Sequence, residues 1–165
     1  MDIFSHGLYG GIAFGKRSKR DYITAFLFGI GSDLLAFAPY ILSILFGLAP
    51  LPSGKIEPPV SGGVPTYVHS LYYFTHSLVI YAVFFALLLY LGKKNLAKLT
   101  FGWPLHILVD IPTHSSAFFP TYFLWPVSNF SFNGTPWIEP KIFIPNVIVL
   151  MLLYIFWYFK KKRNV

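Results

Sequence analysis

The chain has 165 residues, 55% of them hydrophobic, 20% aromatic and 12% charged. Its mean hydropathy is +0.59. A soluble domain carries about 25% charged residues, so this composition points to a membrane protein folded as a single domain over residues 1–165. The chain has no cysteine, which excludes disulfides and thiolate metal sites. The formal net charge of +7 comes from basic residues in three clusters: Lys16, Arg17, Lys19 and Arg20; Lys93, Lys94 and Lys98; and Lys160 to Arg163. Each abuts a long apolar run. That is the positive-inside pattern, with anionic headgroups as counter-charge, and not the footprint of a nucleic-acid-binding protein.

In chain order, Ile3 to Gly15 is apolar and rich in small residues, with Gly7, Gly10, Gly11 and Gly15. At 1.5 Å per residue it is too short to span a bilayer. It reads as a half-helix packed through its glycines or as an interfacial helix. Tyr22 to Ala49 is the first span, with Asp33 near its middle and Pro39 as an expected kink. Pro50 to Thr66 reads as a loop. Val68 to Leu91 is the second span, with His69 and His76 in its first half, and Gly92 to Lys98 is a basic turn.

Leu99 to Ile111 is the third apolar segment. Pro104 suits a first helical turn, and Pro112 is expected to end or kink the helix near Ile111. Thr113 to Pro140 is an aromatic, proline-rich connection that suits the interface or caps a cavity. Lys141 to Phe159 is the last span, closed by Lys160 to Arg163. The expected fold is therefore an all-α polytopic helical membrane protein, with about four transmembrane helices plus a short N-terminal helix. Both termini are expected on the cytoplasmic side, with loops 50–66 and 113–140 outside.

The ionisable residues are segregated. Of six acids only Asp33 and Asp110 interrupt apolar segments, whereas all five histidines (His6, His69, His76, His106 and His114) lie in or beside such segments. An ionised Asp at a helix centre costs about 2.5–3.5 kcal/mol on insertion scales, so such groups persist most readily by meeting one another. Counting helical rise from the basic clusters puts His6 about 15 Å deep, Asp33 about 20 Å, His76 about 25 Å, and His106 and Asp110 about 12 and 18 Å. They share one layer. His106 and Asp110, at i and i+4, lie on one helix face.

His and Asp donors suit zinc, manganese or iron better than copper(I) or an iron–sulfur cluster. The candidate ligands are His6, Asp33, His76, His106 and Asp110, with zinc the first choice of divalent metal. Asp33 or Asp110, if either is not a ligand, is the candidate general base. His69 and His114 are open between ligand and interhelical hydrogen bonding. Ser32, Ser77 and Thr113 are candidates for outer hydrogen bonds. Two other readings use the same residues: a metal or proton transporter, and a structural subunit in which they fasten helices.

Several pieces resemble a family. These are His6, the Asp33 segment, Phe-Thr-His76-Ser-Leu, His106-Ile-Leu-Val-Asp110-Ile-Pro-Thr113 and Phe-Leu-Trp125-Pro126. In order and spacing they resemble the YdjM-like inner-membrane metal-dependent hydrolases, over residues 6 to about 126. The resemblance implies an enzyme of the inner membrane that hydrolyses an ester or phosphoester. A lipid substrate follows only from a site at mid-membrane. Leu35 stands where the family commonly has a second acid, and Leu71 where it commonly has another histidine, which leaves a single metal as the expectation.

Overall fold

The computed structural model describes residues 1–50, 64–117 and 119–163. Most of the expected loop from Pro50 to Thr66, and Phe118 of the aromatic connection, lie outside the described residues. Among the described residues all regular structure is helical. The helices are α1 (Ile3–Phe14), α2 (Lys19–Leu45), α3 (Thr66–Thr75), α4 (Leu78–Tyr90), α5 (Lys94–Leu99), α6 (Gly102–Thr113) and α7 (Pro140–Arg163).

Local chemistry sets several of these bounds. The Asp2 carboxylate accepts from Ser5 N at the start of α1, and the Ser18 hydroxyl accepts from Asp21 N at the start of α2. Pro39 lies inside α2, which runs on to Leu45. The basic turn expected over Gly92 to Lys98 contains a short helix, α5. Pro112 lies in the last turn of α6, which ends two residues past Ile111. The helix continues to Thr113, and His114 N still donates to Asp110 O at 3.0 Å. A proline in a last turn removes only its own N–H, so the turn closes around it.

The expected second span, Val68 to Leu91, is not one helix. It breaks at His76 and Ser77 into α3 and α4, bent by 54°. His76 caps the end of α3, and the Ser77 hydroxyl accepts from Val79 N and Ile80 N to start α4. Such a break frees backbone groups that hydrocarbon cannot satisfy. The aromatic connection supplies partners: Leu78 N donates to Phe123 O at 2.9 Å, and the Ser77 hydroxyl donates to Trp125 O. The same connection closes α6, where Thr135 N and Gly134 N donate to the carbonyls of Pro112 and His114.

Two helices, α2 and α7, are long and apolar enough to cross a membrane, and α3 with α4 is a third, bent candidate. The outward face of α7 is apolar, with Met151, Leu152 and Phe156 all well exposed. A contiguous exposed apolar surface of this kind marks a buried environment other than water. α6 has 12 residues, short of the roughly 17 a spanning helix needs.

Three helices cross at glycines. A Cβ on Gly10 of α1 would stand 2.6 Å from Ala25 O and 3.4 Å from the Cα atoms of both Gly29 and Gly102. One on Gly29 of α2 would stand 2.5 Å from His6 O, and one on Gly102 of α6 would stand 2.6 Å from Ala25 O. The absence of side chains lets the backbones approach this closely. Next to this crossing, α7 is fastened to α1 by polar contacts. Asn146 Nδ2 donates to Ser5 Oγ at 2.8 Å, Tyr9 OH donates to Asn146 Oδ1 at 2.9 Å, and Tyr154 OH donates to Leu8 O at 2.9 Å.

Candidate metal centre

His6, Asp33 and His106 each lie four residues, about one helical turn, from a glycine of the three-way crossing. α1, α2 and α6 therefore deliver these side chains to one level. Asp110 follows one turn after His106 on α6, and His76 enters from the α3–α4 break. All but Asp33 are buried; the Asp33 side chain keeps 15% of its surface exposed.

Four atoms converge: Asp33 Oδ1, His76 Nε2, His106 Nε2 and Asp110 Oδ2. Each lies within 4.8 Å of the others. His106 Nε2 stands 3.0 Å from both His76 Nε2 and Asp110 Oδ2. The remaining measured separations are 3.4 Å (His76 to Asp33), 3.5 Å (His76 to Asp110) and 3.7 Å (His106 to Asp33). A tetrahedron built on zinc–ligand bonds of about 2.0–2.1 Å has edges of about 3.3–3.4 Å. The five separations, from 3.0 to 3.7 Å, bracket that edge length.

The hydrogen bonds behind the rings set the polarity of the cluster. His106 Nδ1 donates to Gly29 O at 2.6 Å, and His76 Nδ1 donates to Tyr72 O at 3.0 Å. A carbonyl only accepts, so each Nδ1 carries the hydrogen and, in the neutral ring, each Nε2 presents a lone pair. Two lone pairs and two carboxylate oxygens thus face one another. Asp110 Oδ2 is buried without a hydrogen-bond partner. Uncompensated buried acceptors of this kind are costly, and a cation between them removes the cost. The donors and their backing therefore fit a divalent ion, although they do not select which one.

The other oxygen of Asp110 faces a different set. His6 Nε2 stands 2.9 Å from Oδ1, His114 Nδ1 stands at 3.3 Å, and Met1 N contacts the same oxygen. His6 is buried, stacks on His106 with ring centroids 3.6 Å apart, and its Nδ1 has no hydrogen-bond partner. His114, left open by the sequence, thus adjoins the cluster. His69 does not: its ring stacks on Phe119 at 4.5 Å. Both rings belong to α3, whose C-cap is His76, but seven residues put His69 about 10 Å from His76 along the helix axis, so sharing a face does not bring both to one site.

Of the serine and threonine side chains expected as outer partners, Thr113 alone adjoins the cluster, its Oγ1 accepting at 3.3 Å from Met1 N, which also contacts Asp110 Oδ1. Ser77 caps α4, Thr113 Oγ1 donates to Val109 O at 2.9 Å, and Ser32 Oγ is buried without a partner. Backbone carbonyls of Gly29 and Tyr72 take that role instead. Composition gives no signal for such partners, because every residue has a carbonyl.

Compared with known proteins, the chain matches no family model, no curated protein and no solved structure.

Proposed function

We propose that this is a membrane-embedded, metal-dependent hydrolase of the YdjM-like kind, acting on an ester or phosphoester. The observation that carries the reading is the set of four converging acceptors with protonated Nδ1 atoms backed by carbonyls. His76, His106 and Asp110 are the three buried ligands, and Asp33 is the general base on the open side. Three protein ligands and an accessible fourth position are the pattern of catalytic zinc sites. When bound there, a divalent ion supplies Lewis acidity and the activation of water near neutral pH. Asp33 suits the base because it alone of the four is partly exposed, and it lines a cavity of about 510 Å³. His6 and His114 hold the far oxygen of Asp110 and orient its carboxylate, an outer role that tunes a metal site.

In the membrane we read four passes: α2, the α3–α4 pair, α5 with α6, and α7, with the α1–α2 turn and the C-terminal end of α7 at the cytoplasmic face of the inner membrane and α1 as a half-helix that carries Met1 to Asp110. Lys19 and Arg20 lie in the first turn of α2, against the helix dipole. Headgroup attraction accounts for them better than helix electrostatics does.

The test is metal analysis of detergent-purified protein beside hydrolysis of phosphoester and carboxylic ester substrates. Wild type is expected to hold one divalent ion per chain and His106→Ala none. Asp33→Asn is expected to keep the ion and lose turnover. A wild-type protein without bound metal would remove the basis of the proposal. Metal-dependent flux in proteoliposomes without hydrolysis would favour a transporter, although the cytoplasmic half of α4 offers it no ionisable side chain other than tyrosine.

A further inference from the structure

The cavity beside Asp33 has a polar end and an apolar shaft. Asp33, Phe37 and Ile41 recur every four residues along α2, and all three line it. That stripe is about 12 Å long. Asp33 and His114, with Met1 and Asp2, supply the polar lining. Ala38 and the buried ring of Phe119 add to the apolar wall. At the rim, Phe4, Leu34 and Ile41 are exposed to 70%, 48% and 52%. Two of these rim residues lie on α2, a helix able to cross a membrane. The mouth is therefore apolar and faces the surroundings of that helix.

We propose that this cavity takes the hydrocarbon chain of a bilayer amphiphile, with the cleavable ester or phosphoester end at Asp33 and His114. The cavity falls within the size range that encloses one small ligand, which suits a single chain. A small water-soluble substrate would leave the Phe37–Ile41 wall unfilled and would have no reason to enter through an apolar rim. A chain buried there is stabilised relative to water but little relative to lipid. The site therefore selects by shape and by its polar end, and it is supplied laterally. The identity of the cleaved bond rests on the hydrolytic reading; the chain site rests on the cavity alone.

The probe is a phospholipid with a photoactivatable diazirine at its chain terminus, reconstituted with the full chain in bilayer discs. Labelled residues are mapped by mass spectrometry. Phe119 is 2% exposed and lines the cavity, so label on it reports a chain inside rather than lipid around the protein. Label is expected on Phe119 and Phe37. Ala38→Trp fills the shaft and is expected to abolish that label while leaving label on the outer α7 residue Leu152, and bound metal, unchanged. Ile41→Trp, at the exposed rim, blocks entry with little disturbance of packing and serves if Ala38→Trp does not fold. Absence of label on Phe119 in the wild type overturns the proposal, as does undiminished label in a folded variant. Chelation separates the two claims. Label on a protein shown to bind no metal would support the chain site while the hydrolase reading fails; bound metal without label on Phe119 would do the reverse.

Discussion

His76 Nε2 and His106 Nε2 face each other at 3.0 Å, each ring held from behind by a backbone carbonyl. The pair is unusual because both rings come from apolar segments and both turn a lone pair inwards, towards two carboxylates. The arrangement has an energetic consequence. Without a cation, the folded state holds three buried acceptors and the partly exposed Asp33 carboxylate at close range.

Chelation is therefore expected to destabilise the protein, and zinc to restore it. A ligand present at 1,000 times its dissociation constant adds about 4 kcal/mol to folding stability. Thermal denaturation in detergent, with and without chelator and with zinc added back, measures the shift. Identical melting curves in all three conditions would contradict a metal-supported cluster.

The histidines are expected to separate into three classes by metal affinity. His76→Ala or His106→Ala removes a converging donor and abolishes binding. His6→Ala or His114→Ala removes a group that holds only the far oxygen of Asp110, and weakens binding by roughly 10–100-fold. His69→Ala, against Phe119, leaves affinity unchanged. Metal-competition titrations of the five variants report the order, and a strong effect at His69 would show that the cluster is drawn wrongly.

Gly29→Ala is expected to damage both stability and the site. Its Cβ would meet His6 O at 2.5 Å, a backbone atom that moves only if α1 moves. Overpacking of this kind costs roughly 1–3 kcal/mol, and displacement of α1 carries His6 away from Asp110. Gly31→Ala is the control two residues on, since its Cβ would meet nothing within 4 Å. Equal loss of metal in the two variants would mean that the glycine crossing does not set the site.

Asn146→Ala is expected to loosen α7 and spare the metal. Asn146 links Ser5 and Tyr9 of α1, and polar contacts between membrane helices are worth about 1 kcal/mol each. Faster proteolysis or hydrogen exchange along α7, at unchanged metal content, is the expected result. Loss of metal in Asn146→Ala would instead tie α7 to the centre.

Hydropathy and charge along the chain were enough to mark the apolar helices, the membrane setting and the residues that do not belong there. Asp33, His76, His106 and Asp110 were legible because an ionisable group in an apolar run is expensive wherever the run ends up, and four-residue spacing alone puts His106 and Asp110 on one face. The tertiary structure decided the rest. A 54° break at His76 and Ser77 divides the second span, and no local period shows it, because the break is satisfied by Phe123 and Trp125, about 50 residues away. The glycines at 10, 29 and 102 read as small residues one by one; only their mutual contact makes each a marker for the site residue one turn away. The carbonyls that set the histidine tautomers have no sequence signature at all. Local chemistry reports which groups need a partner, whereas the choice of partner depends on backbone paths that cross only after the helices pack.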